Sequence, residues 1–215
     1  MNEAKKQLEE QIASALLEIG AVALRPEEPF TWTSGLKSPI YCDNRLTMSH
    51  PSIREQIAEG FASLIREKYP QAEVIAGTAT AGIPHAAWVA QKLNLPMIYI
   101  RDKAKGHGKQ NQVEGQLKPG QQVVVIEDLI STGGSSLKAA LVVNEAGART
   151  LGVAAIFSYQ FPKAAAAFAE HGIPLDTLSN YTALLDVAAA KGIIAHDQLD
   201  VLRKWREEPE AYGQA

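Results

Sequence analysis

The sequence predicts an α/β fold built on a parallel sheet, and three observations support this. From residue 73 onward, short apolar runs alternate with segments of helical periodicity, which is typical of βαβ units. One run, VVVI at 123–126, contains only β-branched residues, as expected for a central strand covered on both faces. The length of 215 residues and the 46% hydrophobic content suit one full globular core, so a single domain over 1–215 is expected.

The N-terminal part predicts a helix followed by a loop-rich segment. Apolar residues recur at helical spacing from Leu8 to Ile19 and the pattern stops at Gly20, so a helix is predicted over 4–19. The segment 25–45 is rich in Pro, Gly and Ser, and its FTW and IYC triplets predict two short strands.

The rest of the chain predicts alternating strands and helices. Gly147 and Gly172 stand where a glycine would end two of the helices, and Gly192 interrupts a helical pattern over 181–205, which predicts two further helices there. The predicted strands are 73–77, 97–100, 122–127, 150–157 and 174–178, and the other predicted helices are about 51–69, 82–92, 135–146 and 163–171.

Composition and charge exclude several classes of protein. Lys and Arg number 21 against 24 Asp and Glu, so a basic nucleic-acid-binding protein is not expected. The single cysteine, Cys42, permits no intramolecular disulfide and is interpreted as a packed thiol. No apolar stretch is long enough for a membrane span or resembles a signal peptide, so a cytoplasmic protein without membrane partners is expected. Most of the scattered histidines are interpreted as surface or capping residues and the tryptophans as core or interface packing residues: His50, His85, His171, His196, Trp32, Trp88 and Trp205.

The segment 121–136, QQVVVIEDLISTGGSS, predicts a binding site for a sugar phosphate. Glu127 and Asp128 end the predicted strand, and ligands of open α/β sheets bind at the carboxyl ends of strands. The small residues 131–135 then open a helix, where backbone N–H groups can converge on a phosphate. Carboxylates accept hydrogen bonds from sugar hydroxyls. In the alternative interpretation, the acids are turn residues and the hydroxyl side chains cap the helix.

This segment resembles the phosphoribosyl diphosphate (PRPP) motif of the type I phosphoribosyltransferases: an apolar strand, two acids, two residues and a Thr/Ser/Gly loop. The resemblance implies a mostly parallel central sheet flanked by helices, with a core of about 50–180 and a small hood formed by about 1–48 and the C-terminal helices. It also implies that the two acids bind the ribose hydroxyls and that the loop backbone binds the 5′-phosphate. The implied PRPP-binding residues are Glu127, Asp128, Leu129, Ile130, Ser131, Thr132, Gly133, Gly134 and Ser135.

Two further segments are similar to the orotate-using branch of this family, in the form found in bacilli. They are FTWTSGLKSPIYCDNR at 30–45, which resembles a substrate loop, and RDKAKGHGKQNQVEG at 101–115, which has an R-x-x-x-K-x-H spacing. The resemblance implies transfer of the phosphoribosyl group from PRPP to orotate, giving orotidine 5′-monophosphate and diphosphate in UMP biosynthesis. It further implies that orotate is bound by Ser131 and Lys37.

The segment 101–116 is expected to be a mobile catalytic loop. Four basic residues against two acidic ones give 101–115 a net charge of +2, and its glycines allow movement. Such a loop suits a diphosphate leaving group, because it can close over the site and neutralise developing charge; a solvated surface hairpin is the alternative. The resemblance implies that Arg101, Lys105 and His107 are catalytic and contact the diphosphate, with loops shared across a homodimer. It also implies Mg²⁺ bound mainly through PRPP and diphosphate, without a dedicated protein metal site.

The chain departs from the pattern of other orotate enzymes at three places. Many of them carry an aromatic residue and a lysine where this chain has Thr80 and Ala81, and often a lysine where it has Thr33. Members outside this branch also carry an arginine where this chain has Tyr159 or Gln160. Two other functions therefore remain open: a purine phosphoribosyltransferase, which shares the PRPP motif, and a non-catalytic regulator with the same fold. The acidic composition and the cationic loop favour the enzyme.

Overall fold

The computed structural model describes residues 3–32, 34–103 and 112–212 of the chain. Its seven described helices are α1 (Glu3–Glu18), α2 (Pro51–Lys68), α3 (Gly82–Leu93), α4 (Gly134–Glu145), α5 (Pro162–Glu170), α6 (Tyr181–Ala190) and α7 (Leu199–Glu207). The strands in these ranges are β1 (Val22–Leu24), β2 (Phe30–Thr31), β3 (Lys37–Ser38), β4 (Ile40–Cys42), β5 (Val74–Thr78), β6 (Met97–Ile100), β7 (Val113–Glu114), β8 (Gln122–Ile130), β9 (Arg149–Ser158) and β10 (Leu175–Asn180). None of the described helices combines the length and the apolar character needed to cross a bilayer.

A six-stranded sheet with the order β10-β9-β8-β5-β6-β7 forms the centre of the molecule. Five of its strands run parallel, and only β7 at one edge is antiparallel to its neighbour. The predicted α/β fold with a mostly parallel sheet is therefore confirmed.

Each face of the sheet carries its own apolar core. Side chains alternate along β8, so Val124 and Ile126 belong to one core and Val123 and Val125 to the other. The first core includes residues of α1, α2, α3, α6 and α7, and the second includes residues of α4 and α5. Helices on both faces explain why the VVVI run is entirely apolar.

The N-terminal segment and the last helices share the first core. Trp205 of α7 is buried, and its ring packs edge-on against Trp32 at a centroid distance of 5.9 Å. The Tyr212 hydroxyl donates to the carbonyl of Pro26 at 2.8 Å, and the Tyr181 hydroxyl donates to the carbonyl of Leu202 at 3.1 Å. These contacts join both ends of the chain beside the end of β9.

Most predicted elements agree with the structure to within about two residues, including the two helices separated near Gly192. Gly147 and Gly172 have positive φ angles of 85° and 62°, as expected at helix ends. Four differences stand out. The strand predicted over 122–127 continues to Ile130. The short strands β1, β3 and β7 lacked a periodic signal because each has only two or three residues.

Candidate active site

A cleft opens where β8 extends beyond β5. The pairing of β5 with β8 ends at Gly77 and Ile126, whereas β8 remains paired with β9 as far as Ile130. The residues 127–130 therefore have a strand neighbour on one side only. The strand order also reverses direction between β5 and β8, which is the position where open α/β sheets bind ligands.

A glycine at the start of α3 allows this helix to approach β8 closely. A Cβ atom on Gly82 would overlap the carbonyl oxygen of Ile126. The close approach sets one wall of the cleft immediately before the two acids.

The two acids lie inside β8 and are not turn residues, so the turn interpretation is wrong. Glu127 is 5% exposed; one of its carboxyl oxygens accepts from the Asp128 backbone N–H at 3.0 Å and the other from the Ser135 hydroxyl at 3.5 Å. Burial is the main cause that raises the pKa of both carboxyl groups, and for Glu127 the adjacent Asp128 raises the pKa further. Such a pair is suited to binding the hydroxyl groups of a ligand, because hydrogen bonds donated by those hydroxyls compensate for the loss of water around the carboxyl groups.

An unpredicted residue, Asn44, holds the N-terminal segment against these acids. Its side-chain amide is buried and donates to the carbonyl of Asp128 at 2.7 Å, while its oxygen accepts from the Cys42 thiol at 3.3 Å. Burial also raises the pKa of the Cys42 thiol, which agrees with its interpretation as a packed thiol. Nothing in the periodicity of 25–45 distinguishes Asn44, because its partner lies 84 residues away.

The loop after β8 opens α4 without a side-chain cap. Gly133 precedes the helix with a φ of 78°, and a Cβ atom there would lie 2.8 Å from the ring of Phe168. In the described part of the chain, no side chain accepts a hydrogen bond from the first N–H groups of α4, so the capping interpretation of the hydroxyls is wrong. The first N–H groups of the helix therefore point toward the loop without a side-chain partner.

Arg101 lies at the other side of the cleft, directly after β6. It lines a cavity of about 20 Å³ together with Ser135, Thr78 and Lys138, and the Thr78 hydroxyl has no hydrogen-bond partner among the described residues. Arg101 pairs with Glu114 at 3.1 Å. The other predicted loop residues, Lys105 and His107, lie outside the described residues.

Lys138 was missed by the sequence interpretation. Its ammonium donates to the carbonyl of Asp102 at 2.6 Å and lies 3.6 Å from the carboxylate of the same residue. The available signal was its position three residues after Ser135, one helical turn along the same face of α4.

A larger cavity of about 390 Å³ adjoins Ser131 and is the candidate site for a base. It is lined by Thr31, Trp32, Ser34, Tyr41, Cys42, Leu129, Ser131 and Tyr159. Lys37 does not line this cavity, but its ammonium donates to the Thr31 hydroxyl at 2.8 Å and so lies at the rim. A second cavity of about 460 Å³ lies beside it, between Ser131, Thr132, α5 and the acidic segment 207–210.

The structure distinguishes Tyr159 from Gln160, the two residues between which the sequence interpretation did not choose. Tyr159 lines the cavity, whereas the Gln160 side chain accepts from the backbone N–H and the hydroxyl of Thr182. Gln160 has a φ of 59°, and its side chain is turned away from the cleft toward α6.

Two residue interpretations need correction. His85 is buried, not on the surface, and burial lowers its pKa to about 4; one ring nitrogen lies 3.4 Å from the Thr47 hydroxyl. Trp32 packs against aromatic neighbours as expected, but it also lines both cavities. No three His, Cys, Asp or Glu side chains within the described ranges are arranged to hold a metal ion.

Comparison with known proteins agrees with this geometry. The family model described as "Phosphoribosyl transferase domain" matches residues 48–170, which include both acids and the loop. An orotate phosphoribosyltransferase of Enterococcus faecalis is 59% identical over 94% of this chain and 97% of its own length, and one of Bacillus caldolyticus is 58% identical over 96% and 100%. The crystal structure of orotate phosphoribosyltransferase from Aeropyrum pernix superposes with a TM-score of 0.74 at 27% identity, covering 86% of this chain and 99% of that one. Leishmania donovani UMP synthase gives a TM-score of 0.77 at 28% identity, covering 92% and 42%.

The fold, the acid pair and the loop define a phosphoribosyltransferase, and the chain belongs to that family. Within it, the chain belongs to the orotate phosphoribosyltransferases of pyrimidine biosynthesis, as the motifs predicted.

Proposed function

We propose that this orotate phosphoribosyltransferase carries out its reaction in the cleft between β5 and β8. N1 of orotate gives up its proton to solvent or to the departing diphosphate and forms a bond with C1 of the ribose of PRPP. The bond from C1 to diphosphate breaks with inversion at C1, and the diphosphate leaves with the electron pair of that bond. The products are orotidine 5′-monophosphate and diphosphate. The observation that carries this proposal is the pair of acids on β8, Glu127 buried and Asp128 partly buried, at the point where β8 extends beyond β5. The pair lies next to the start of α4, which has no side-chain cap.

Glu127 and Asp128 bind the two ribose hydroxyls in this proposal. The side chain of Glu127 is buried and that of Asp128 is partly buried. The Asp128 backbone N–H donates to Glu127, and the Asn44 side-chain amide donates to the Asp128 carbonyl, so both contacts hold this part of the strand in position. Leu129 and Ile130 continue the strand and lead into the loop. The ribose is thereby oriented for an oxocarbenium-like transition state without a protein nucleophile.

The loop and the start of α4 bind the 5′-phosphate. Ser131, Thr132, Gly133, Gly134 and Ser135 supply backbone N–H groups and small side chains, and the helix dipole favours an anion at this end.

Cations on the opposite side of the cleft stabilise the departing diphosphate. Arg101 lines the cleft, and Lys138 lies next to it on α4. From their positions in the R-x-x-x-K-x-H pattern, Lys105 and His107 complete this set, contributed by the loop of a neighbouring subunit in a homodimer. Such groups are most effective where negative charge develops in the transition state.

Mg²⁺ fits this site as a group held mainly by the substrate. Mg²⁺ commonly takes one or two carboxylates together with phosphate oxygens and waters. The cleft offers the adjacent acids Glu127 and Asp128, and no cluster of three metal-ligating side chains occurs within the described ranges. Glu127 and Asp128 would hold the ion through the ribose hydroxyls that they bind, and the bound ion supplies charge neutralisation on the diphosphate.

Orotate occupies the cavity of about 390 Å³, where Ser131 contacts it and Lys37 lies at the rim. In this proposal the N-terminal segment 1–48 and the C-terminal helices form a hood over the base. The contacts of Asn44 with Asp128 and of Tyr212 with Pro26 support this arrangement.

The test is a spectrophotometric assay of orotate loss with purified protein, PRPP and Mg²⁺, run beside adenine, hypoxanthine, xanthine and uracil. We expect orotate consumption that requires both PRPP and Mg²⁺. Activity with a purine and none with orotate would overturn the base assignment. PRPP binding without turnover of any base would instead indicate a catalytically silent regulator.

A further inference from the structure

The base cavity contains no charged side chain among the described residues that line it. Its polar groups are hydroxyls and a thiol, and burial keeps the Cys42 thiol protonated. Orotate carries a carboxylate, so an anion that enters this cavity must be bound largely by neutral donors. Hydrogen bonds from neutral donors to a charged acceptor are stronger than bonds between two neutral groups.

Tyr159 is the most rigidly held of these donors. It is 3% exposed, and its ring stacks on Trp32 at 5.5 Å between centroids with edge contacts to Phe157 and Trp205. Its backbone N–H donates to the carbonyl of Ile130 at 3.0 Å, directly before Ser131. The ring and the backbone therefore fix the position of the hydroxyl relative to the phosphate loop.

The Tyr159 hydroxyl has no hydrogen-bond partner among the described residues, and its oxygen is not one of the fully buried unpartnered atoms, which belong to Thr78, His85 and Trp205. By contrast, the hydroxyls of Tyr69, Tyr181 and Tyr212 each donate to a protein oxygen. A buried tyrosine usually satisfies its hydroxyl. Tyr159 instead lines the base cavity, so a ligand in the cavity can accept a hydrogen bond from its hydroxyl.

The environment keeps this hydroxyl protonated. Burial raises the pKa of Tyr159 far above its ordinary value, and the nearby Cys42 and Tyr41 raise it further. A neutral phenol next to a carboxylate acts as a hydrogen-bond donor.

We propose that Tyr159 is a specificity-determining residue that donates a hydrogen bond from its hydroxyl to the carboxylate of orotate, with Trp32 positioning its ring. This inference rests on the proposed function and adds the group that recognises the acid substituent of the base. A site that hydrogen-bonds a substrate group discriminates strongly against analogues lacking it, because its polar group is then left unpaired.

The test compares Tyr159→Phe with the wild type. This variant removes one oxygen and keeps the stacked ring. We expect kcat/KM for orotate to fall about 10- to 100-fold, mainly through a higher KM for orotate, with the KM for PRPP unchanged. The inhibition constant of uracil, which lacks the carboxylate, should be the same in both proteins.

Tyr181→Phe is the matched control, because it removes a buried hydroxyl that bonds to Leu202 and not to the cavity. It should lower Tm without changing the KM for orotate. An unchanged KM for orotate in Tyr159→Phe would overturn the inference. An equal loss of binding for orotate and for uracil in this variant would overturn it too. Failure of the wild type to consume orotate would count against the proposed function itself, so the two failures are distinguishable.

Discussion

The two sides of the cleft are built in different ways. The side assigned to ribose and phosphate comes from one continuous stretch, 127–135, that runs from the end of β8 into α4. The base cavity is assembled from three separate stretches, 31–42, 129–131 and Tyr159. We call the stretch 127–135 the continuous side of the cleft and the base cavity its assembled side. The continuous side depends on local backbone geometry, whereas the assembled side depends on contacts that attach the N-terminal segment to the sheet.

The largest effect is expected at the acids of the continuous side. Asp128→Asn and Glu127→Gln should each lower kcat/KM for PRPP about 100-fold, because each removes carboxyl contacts to the ribose hydroxyls. Steady-state kinetics with PRPP varied would measure this. Glu170→Gln changes an exposed glutamate at the end of α5 and is the control. Unchanged kinetics in both acid variants would refute their assignment.

The next largest effect is expected on the free energy of unfolding when the backbone geometry of the loop at Gly133 is changed. Gly133→Ala places a Cβ atom at a φ of 78° and against Phe168, so we expect a loss of about 2 kcal/mol in the free energy of unfolding. Gly134→Ala is the matched control, since a Cβ atom there meets no atom within 4 Å. Urea denaturation of the two variants would check this, and equal stability would show that the loop tolerates the change.

A pH-dependent change of similar size in the free energy of unfolding is expected from His85, whose contact with Thr47 attaches the N-terminal segment. Burial lowers the pKa of His85 from 6.5 to about 4, so the unfolded chain binds the proton more tightly than the folded chain. The stabilising effect of the neutral imidazole is present above pH 6.5 and is lost as the pH falls toward 4. Between pH 7 and pH 5 the free energy of unfolding should fall by about 2 kcal/mol from this group.

Denaturation at both pH values with His85→Gln and with His171→Gln would measure this effect. The first variant should lose most of this pH dependence, and the second, which changes an exposed histidine, should follow the wild type. The same pH dependence in all three proteins would exclude His85 as its source.

The smallest effect is expected at the rim of the assembled side. Lys37→Ala should raise the KM for orotate about threefold, because Lys37 is exposed and its ammonium bonds to Thr31 rather than lining the cavity. A fall in kcat/KM for orotate as large as the fall in kcat/KM for PRPP expected for Asp128→Asn would mean that Lys37 contacts orotate directly. Lys191→Ala, on the far side of α6, provides the control.

The continuous side of the site could be predicted from the sequence because all of its signals are local. A β-branched strand, two acids and a loop of small residues follow one another within 123–135, and residues adjacent in the chain must also be adjacent in space. Apolar periodicity determined the helices and the parallel strands for the same reason, and the motifs also indicated the family and its orotate branch.

Only the tertiary structure decided the features that depend on distant residues. Glu127 and Asp128 are strand residues, not turn residues, because β9 continues to pair with β8 after β5 has ended. Asn44 bonds to Asp128, which is 84 positions away in the chain. Tyr159 lines the base cavity and Gln160 does not, because the backbone turns at Gln160 after the end of β9. Such contacts depend on how the strands, helices and both chain ends pack around one sheet, and a linear pattern carries no record of that packing.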